Sequence, residues 1–282
     1  RVRISGREGL VTLEEYGINL GLSSWEIDFF GRLRSLNQRA LEEFFATEQA
    51  RRSARILLIS EVANAYLTLA ADKENLKLAR STLETQQAAY HLIKRRFEVG
   101  LAPELDVRQA QTRVDAARLD IARYTELVAQ DKNALDLLAG APVPDGLLPA
   151  ELSAVKPLPE VSPGTSSEVL LRRPDILQAE NLLKAANANI GAARAAFFPR
   201  IALTSVIGTA SGDLSGLFQS GSFVWNYAPQ AVLPIFDART WSGLKATKVE
   251  REIAVAQYER AIQAAFREVA DALASKGTLG DQ

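Results

Sequence analysis

Hydrophobic residues recur at alternating steps of three and four over two long stretches of the chain, 30–98 and 103–138. A repeat of 3.5 residues keeps one seam of a helix facing a partner only when the two helices supercoil. At 1.5 Å rise per residue, the first stretch would form a helix about 100 Å long. The seam positions, in chain order, are Leu69, Asp72, Leu76, Ala79, Leu83, Gln86, Tyr90, Ile93 and Phe97, then Val107, Ala110, Val114, Ala117, Ile121, Tyr124, Val128, Asp131, Leu135 and Leu138. The pattern therefore predicts two long helices paired in a coiled coil.

Three polar residues, Asp72, Gln86 and Asp131, interrupt this apolar seam. Buried polar residues at such positions can set the register of a coiled coil. Alternatively, the helices splay apart at these points and water enters between them. Of these two explanations we favour the second.

The residues between the two stretches, Val99–Ala102, have the composition of a tight turn. Gly100 tolerates the left-handed backbone angles of the position that follows a helix, and Pro103 suits the first turn of the return helix. We therefore expect an antiparallel hairpin with a short tip. The apolar Val99 and Leu101 at this tip either contact a partner protein or make the hydrophobic contact that accompanies helix capping. Spacing alone favours capping.

Residues 11–29 alternate apolar and polar side chains, which is the period of a β-strand. The apolar positions are even-numbered up to Leu22 and odd-numbered from Trp25 onward. Such a change of phase predicts a β-bulge or a bend between these two residues.

Two more strands are predicted at 201–207 and 223–235, joined by a long loop, 208–221, that is rich in glycine and serine. Aromatic residues follow the loop, where membrane barrels place interfacial aromatics; ordinary strand packing is the other explanation. Both parities of 201–208 include apolar side chains, so the sequence leaves open which one would face lipid. Because open sheet edges are not tolerated in lipid, such strands would have to pair with other subunits.

Six of the eleven prolines lie within 141–165, which predicts an irregular connector. A further helix is predicted to begin at Pro174, where the missing N–H costs nothing, with Asp175 facing the positive end of the helix dipole. We expect this helix to run to Phe197 and to be ended by Pro199.

The chain contains an internal repeat with a shift of 207 residues. The matched pairs are Phe29 with Phe236, Arg32 with Arg239, Ser35 with Ser242, Glu43 with Glu250, and Glu61–Ala63 with Glu268–Ala270. If the last helix copies the first, it should continue to about residue 305. We therefore expect this chain to be an internal segment of a longer protein.

Composition excludes several classes of function. The 33 basic and 34 acidic residues nearly balance, which argues against a nucleic-acid partner. Cysteine is absent, so thiol catalysis and cysteine metal sites are excluded, and the single histidine, His91, is expected to be a solvated surface residue. No run of 18 or more apolar residues occurs, so we expect no helix of this chain to span a bilayer.

No pattern of catalytic residues stands out. No paired carboxylates are evident among the acidic residues, and 208–221 is followed by a strand rather than by the helix that a phosphate-binding loop requires. We therefore predict no catalytic residues, no metal site and no cofactor, and we expect that the protein is not an enzyme.

Three motifs together resemble one known family. They are Arg173–Ile176 with Ala179-Glu180 followed by Ala188–Pro199, then Trp25–Arg32, and finally Val99–Leu101 with Asp106-Val107. In these residues the chain resembles the TolC-like outer membrane factors, above all the OprM-type outer membrane channels of tripartite multidrug efflux pumps. The resemblance covers essentially the whole chain.

The resemblance implies a mainly α fold with β: a long antiparallel coiled-coil helical tunnel below a transmembrane β-barrel. The assembly would be a homotrimer whose three subunits share a 12-stranded barrel. The chain would hold an outer-membrane strand segment (1–29), a long periplasmic hairpin (30–140), an equatorial connector (141–166), an upper periplasmic helix (167–199), a barrel hairpin (200–236) and the start of the long helix of the second repeat (237–282). Family members also carry an N-terminal part, often lipidated on cysteine, and a second hairpin that builds the gate, so we assign no gate residues.

The implied function is a passive duct that exports drugs and other small molecules from the periplasm to the exterior. Its location would be the bacterial outer membrane, extending into the periplasm. The implied partners are two further copies of the chain, a periplasmic adaptor protein, an inner-membrane pump reached through that adaptor, and outer membrane lipids. With the resemblance, partner contact is favoured at the tip, through Val99, Gly100, Leu101 and Asp106.

Some features leave alternatives open. Pro103 departs from the small or hydroxyl residue that related channels usually have there. The basic group Lys94–Arg96 with Arg108 either helps to dock the adaptor or is a solvated charged end. As a whole, the protein could instead be a coiled-coil adaptor or scaffold whose strands form a small soluble domain, or a type I protein-secretion duct.

Overall fold

A computed structural model of the chain describes residues 14–155 and 167–278. Its helices and strands are β1 (Tyr16–Ile27), α1 (Arg32–Glu98), α2 (Glu104–Ala139), α3 (Pro174–Ala195), β2 (Arg200–Ser211), β3 (Phe223–Val232) and α4 (Ala238–Thr278). Short 3₁₀ turns lie at Asp145–Leu147, Leu152–Ala154, Ser167–Arg172 and Leu214–Gly216. The described chain is therefore mostly helical with three strands, which confirms the predicted element types.

The two long helices begin slightly later than the seam pattern predicts, for reasons visible at their N-termini. Gly31 has φ 77°, a left-handed angle that a helix cannot contain, so α1 begins at Arg32. Asp28 accepts a hydrogen bond from the backbone N–H of Arg34 at 2.8 Å and so satisfies one of the free donors of the first turn. Pro103 has extended angles and is the N-cap of α2.

The chain divides into two compact units. One, here called the sheet unit, combines Arg1–Ala50 with Ser167–Gln282, and the other, the hairpin unit, is Arg51–Ser166. Helix α1 begins in the sheet unit and ends in the hairpin unit. The division into six functional segments, from 1–29 to 237–282, stays a prediction.

The sheet has the order β1-β2-β3 with antiparallel pairing throughout. The register of β1 against β2 shifts between Leu22 and Trp25, which confirms the predicted bulge. Ser24 lies at this point with φ 53°, and its N–H donates to the hydroxyl of Thr204 at 3.3 Å. Because the bulge inserts one residue, Trp25 stays on the same face of the sheet as Leu22 although the parity has changed.

The loop between β2 and β3 is shorter than predicted, because β2 continues through Gly208 to Ser211. A Cβ atom at position 208 would collide with the backbone oxygen of Ile18 and with Asn19, so only glycine fits this position. Gly208 is therefore a strand residue whose missing side chain permits close packing. The prediction that the loop begins at Gly208 was wrong.

Helix α3 packs against α4 and against the first part of α1 within the sheet unit. Ion pairs and hydrogen bonds join these helices: Arg173 binds Glu268 of α4 at 2.6 Å, and Arg39 of α1 donates to Asn189 of α3 at 3.2 Å. A Cβ at Gly191 would lie 2.6 Å from the hydroxyl of Ser35, so this glycine permits the close contact between α3 and α1. The buried residues of α3 and α4 are Ile176, Ala185, Ile190, Ala192, Ala195, Ala254 and Ala265.

In the hairpin unit, α1 and α2 bury the seam that the sequence predicts. The buried seam residues are Leu69, Ala79, Ala110, Val114, Ala117 and Leu135. Most of them are small, which lets the two helix backbones approach closely. Phe97, the last seam residue of α1, is 42% exposed and so is not buried in the seam.

The connector follows α2 and is held by lysines. Lys73 donates to the backbone oxygen of Pro149 at 3.0 Å, Lys77 pairs with Glu151 at 2.7 Å, and Lys132 pairs with Asp145 at 2.8 Å. The described part of the connector is irregular, as predicted, and residues 156–166 lie outside the described residues.

One stretch of α1 conflicts with the expectation about membrane spans. By length and composition alone it is apolar enough to cross a membrane, and most of it is not buried. A single helix of this kind is weak evidence of a span. Ile56–Ile59 are four consecutive exposed apolar residues in α1. Exposed apolar surface of this kind marks a contact with lipid or with another chain.

Candidate functional site

The tip of the helical hairpin is shaped by a Schellman motif at the end of α1. Gly100 has φ 77°, its N–H donates to the oxygen of Phe97 at 2.9 Å, and the N–H of Leu101 donates to the oxygen of Arg96 at 2.7 Å. These two hydrogen bonds satisfy carbonyls that the helix end would otherwise leave free. The backbone hydrogen bonds expected of a helix cap are therefore formed.

A hydrophobic contact often accompanies this motif, but the apolar residues of the tip remain largely exposed. Leu101 is 70% exposed and Val99 is 69% exposed. The partner position of Leu101 in the motif is Arg96, which is itself exposed. Two large apolar side chains thus project from the tip without a cover in the described chain, and this is the feature of a contact surface.

A third apolar residue, Leu105, belongs to the same tip and is 64% exposed. The four contact residues predicted from the sequence do not include it. Its position in the sequence could have identified it. Leu105 lies in the first turn of α2, two residues after Pro103, and is not part of the seam that begins at Val107.

The predicted contact residue Asp106 also lies in this first turn and is exposed. Its backbone N–H donates to the oxygen of Pro103 at 3.1 Å. Arg108 pairs with Glu104 at 3.0 Å, so part of the basic charge near the tip is balanced locally. All four predicted residues, Val99, Gly100, Leu101 and Asp106, are therefore at the tip surface, and their role in binding stays a prediction.

The register of the sheet separates its side chains into two chemically different faces, because residues directly opposite each other point to the same side. The first, here called the apolar face, carries nearly all large apolar and aromatic side chains. Its members are Tyr16, Ile18, Leu20, Leu22, Trp25, Ile27, Ile201, Leu203, Ser205, Ile207, Thr209, Ser211, Phe223, Trp225, Tyr227, Pro229 and Ala231.

The opposite side, here called the polar face, carries small and polar residues. Its members are Gly17, Asn19, Gly21, Glu26, Arg200, Ala202, Thr204, Val206, Gly208, Ala210, Val224, Asn226, Ala228, Gln230 and Val232. The sequence could not separate the faces because β2 by itself is apolar on both sides. The partner strands decide the matter, since Trp225 and Leu20 both align with Ile207.

Aromatic side chains lie along the apolar face, most of them toward the β2–β3 loop. Tyr16, Phe223 and Trp225 lie at the end next to this loop, Tyr227 lies opposite Ser205 in the middle of the sheet, and Trp25 lies opposite Leu203 toward the helices. Trp225 is 70% exposed. Aromatic residues near the end of an apolar strand face are typical of strands that cross a membrane.

The sheet has two edges to which no described strand pairs, since β1 and β3 each pair only with β2. An unpaired edge exposes a row of N–H and C=O groups. In lipid these groups have no water to bind, so a sheet with an apolar face of this kind must close with other strands.

Where the strands meet the helices, a charged cluster lies on the polar face. Glu26 is largely buried and pairs with two arginines: Arg32 at the start of α1 at 2.6 Å and Arg200 at the start of β2 at 2.6 Å. This carboxylate ties three elements together. Arg32 binds both of its oxygens and so fixes the angle at which α1 leaves β1.

The hairpin unit also contains two carboxyl groups, Asp72 and Asp131, that face each other across the seam, close enough for the charge of Asp72 to raise the pKa of Asp131. The sequence pattern did not single them out as a pair. The signal was in the sequence, since both residues interrupt the seam and lie nearly equally far from Gly100. Among the described residues, no group of three or more His, Cys, Asp or Glu could hold a metal ion.

Comparison with known proteins places these features in context. The family model described as outer membrane efflux protein matches residues 11–141 and 165–282. The toluene efflux pump outer membrane protein TtgC of Pseudomonas putida is 49% identical over 280 residues, which are 99% of this chain and 57% of that protein. The antibiotic efflux pump outer membrane protein ArpC of Pseudomonas putida matches with the same identity and coverage. This chain thus spans a little over half the length of these relatives.

Among solved structures, the open state of the MtrE outer membrane channel of Neisseria gonorrhoeae is similar to the chain with a TM-score of 0.84 and 37% identity. The match covers 96% of this chain and 65% of that one. The arrangement of three strands and four helices described above is therefore similar to that of part of this channel protein.

Proposed function

Because the chain belongs to the outer membrane efflux protein family, we propose that it is part of a subunit of an outer membrane channel that carries small molecules out of the periplasm. The chain spans 57% of the length of the relatives it matches, so the activity proposed is that of the complete protein. Relatives named for toluene and antibiotic efflux support small molecules, many of them apolar, as the solutes.

One observation carries the proposal: the sheet has an apolar face rich in aromatic residues, a polar face and two edges to which no described strand pairs. An apolar face suits contact with lipid and a polar face suits contact with a water-filled lumen. The edges then require closure with strands of other subunits. The resemblance supplies the number, three copies with four strands each in a 12-stranded barrel.

The helices would continue the lumen below the membrane as a tunnel. The exposed apolar residues Ile56–Ile59 of α1 would be covered there by neighbouring helices of the assembly. The duct is passive, since solutes would diffuse along a polar lumen and energy would come from an inner-membrane pump. No catalytic step is part of this mechanism.

The tip of the hairpin would dock a periplasmic adaptor protein. Val99, Leu101 and Leu105 give the tip three uncovered apolar side chains on a rigid capped turn. A helical tip of a partner can cover such residues at low entropic cost, because the Schellman motif already holds their backbone in place.

Reconstitution of the complete protein in planar lipid bilayers tests the proposal. We expect stepwise conductance and a trimer in detergent. A monomer without conductance would contradict the channel.

A second experiment tests which face meets lipid. In a tryptophan-free background carrying only Trp225, brominated lipids should quench the fluorescence, because Trp225 lies on the apolar face. The matched control moves the single tryptophan to Asn226→Trp, one residue along on the polar face, where lipid quenching should be weak. Equal quenching at the two positions would contradict the assignment of the faces, and absence of quenching at both would indicate a soluble scaffold.

A further inference from the structure

One residue of the charged cluster on the polar face, Arg200, remains exposed although it pairs with Glu26. Arg200 is the first residue of β2 and lies opposite Val232, so it belongs to the polar face. Its side chain is 59% exposed, whereas those of Glu26 and Arg32 are 8% and 30% exposed. Arg200 is therefore the residue through which this cluster meets solvent.

We propose that Arg200 is a selectivity-determining residue of the channel, whose guanidinium group attracts anionic groups of solutes in the lumen at the base of the barrel. This inference rests on the proposed function, because the polar face must line the lumen. It goes beyond that function by naming a residue that acts on solute charge.

The charges of the cluster leave an excess of one positive charge. Glu26 is shared by Arg32 and Arg200, and Asp28 pairs with Arg34 at 3.5 Å. The cluster of Glu26, Arg32 and Arg200 thus has one carboxylate for two guanidinium groups, and the neighbouring Asp28 is balanced by Arg34 outside it. Arg200 contacts Glu26 through Nε, and the rest of its planar fork has donors free for a carboxylate or phosphate.

The surroundings of the cluster strengthen its field. The cluster lines a cavity of about 280 Å³ whose walls include Phe198 and Pro199, and Phe198 stacks on Phe30 with ring centroids 4.7 Å apart. Apolar walls of low dielectric focus an electrostatic field toward the open side. In an assembly with threefold symmetry, three such residues would form a positive ring around the lumen.

Reversal potentials of the complete protein in planar bilayers under a salt gradient test the inference. Arg200→Gln should shift the permeability ratio of anions to cations toward cations by about two- to fivefold, as expected for a unit charge per subunit near a screened lumen. Arg200→Lys is the matched control: it keeps the charge and should keep the ratio of the unmodified channel. A ratio unchanged in Arg200→Gln would overturn the inference.

Chemical modification separates a charge effect from a folding effect. The chain has no cysteine, so Arg200→Cys offers a unique thiol in this part of the protein. In an open pore, a positively charged methanethiosulfonate should restore the ratio of the unmodified channel, and a negatively charged one should shift it further toward cations. Open pores that respond to neither reagent would overturn the inference while leaving the channel intact. If even the unmodified protein formed no pore, the proposed function itself would fail.

Discussion

Asp72 and Asp131 place their carboxyl groups beside each other across the seam between α1 and α2. Oδ2 of Asp131 is buried, and no N–H or hydroxyl group of the described chain donates to it. Burial raises the pKa of Asp131, and the charge of Asp72 and its hydrogen bond raise it further. The neighbouring Lys73 and Lys132 are engaged with the connector. These two seam interruptions are therefore one feature, a pair of neighbouring carboxyl groups inside the coiled coil.

The contribution of Asp131 to the stability of the hairpin should fall as the pH rises past the ordinary pKa of an aspartate. A carboxyl group whose pKa is raised in the folded state holds its proton there more tightly than in the unfolded state, so the contribution of this group is greatest at acid pH. Asp131→Asn keeps a hydrogen-bond donor without charge and should stabilise the protein at pH 8 by about 1 kcal/mol, with little gain at pH 3. Denaturant unfolding followed by circular dichroism at both pH values measures this.

The control for that experiment is Asp115→Asn, which removes an exposed carboxylate of α2 that pairs with Arg118 at 3.4 Å. An exposed pair of this kind contributes about 0–1 kcal/mol, so the change at pH 8 should be small and of opposite sign. Equal stabilisation by both substitutions would show that the overall negative charge of the helix, rather than the proximity of Asp72 and Asp131, lowers the stability.

Gly100→Ala should destabilise the tip by about 1–2 kcal/mol, because a side chain disfavours the left-handed angle that this residue adopts. No atom lies within 4 Å of a Cβ placed there, so the cost is conformational rather than steric. Gly243→Ala in the interior of α4 is the matched control, where the same change should stabilise by about 0.5–1 kcal/mol. Amide hydrogen exchange of the tip and of α4 would measure both, and a gain at position 100 would refute the strain argument.

Loss of apolar surface at the tip should weaken adaptor binding. Leu101→Ser together with Leu105→Ser should reduce the affinity for the adaptor at least about tenfold, since burying one leucine contributes about 1.5–3 kcal/mol. Leu119→Ser on α2 removes a leucine of similar exposure, 69%, away from the tip and should leave binding unchanged. Cross-linking yields with the adaptor and the drug susceptibility of cells report the effect. Similar losses from both changes would mean that the tip is not the contact.

A side chain at Gly208 should prevent closure of the sheet. Gly208→Ala places its Cβ against the backbone of Ile18, and such overpacking costs about 1–3 kcal/mol where the backbone cannot move. Gly17→Ala is the control on the same face, since its Cβ would lie at ordinary distances of 3.5 Å from the backbone oxygen of Thr209 and 3.9 Å from the side chain of Asn19. The yield of trimers that resist detergent should fall for the first and not for the second. Equal yields would show that the strands have more room than their register implies.

Local patterns in the sequence sufficed for the elements of the fold. The seam of α1 and α2, the turn at Gly100 and the bulge between Leu22 and Trp25 follow from spacing, because each depends on residues close together in the chain. The same holds for the apolar tip residues Val99 and Leu101, whose place at a hairpin end follows from the turn alone.

Tertiary structure decided everything that depends on pairing between distant residues. The apolar face of the sheet emerged only once Ile207 was aligned with both Leu20 and Trp225, because β2 alone is apolar on both sides. The contact of Asp72 with Asp131 and the lack of space at Gly208 likewise depend on neighbours far along the chain. A periodic sequence specifies which side chains share a surface of one element, whereas the register between elements decides what that surface meets.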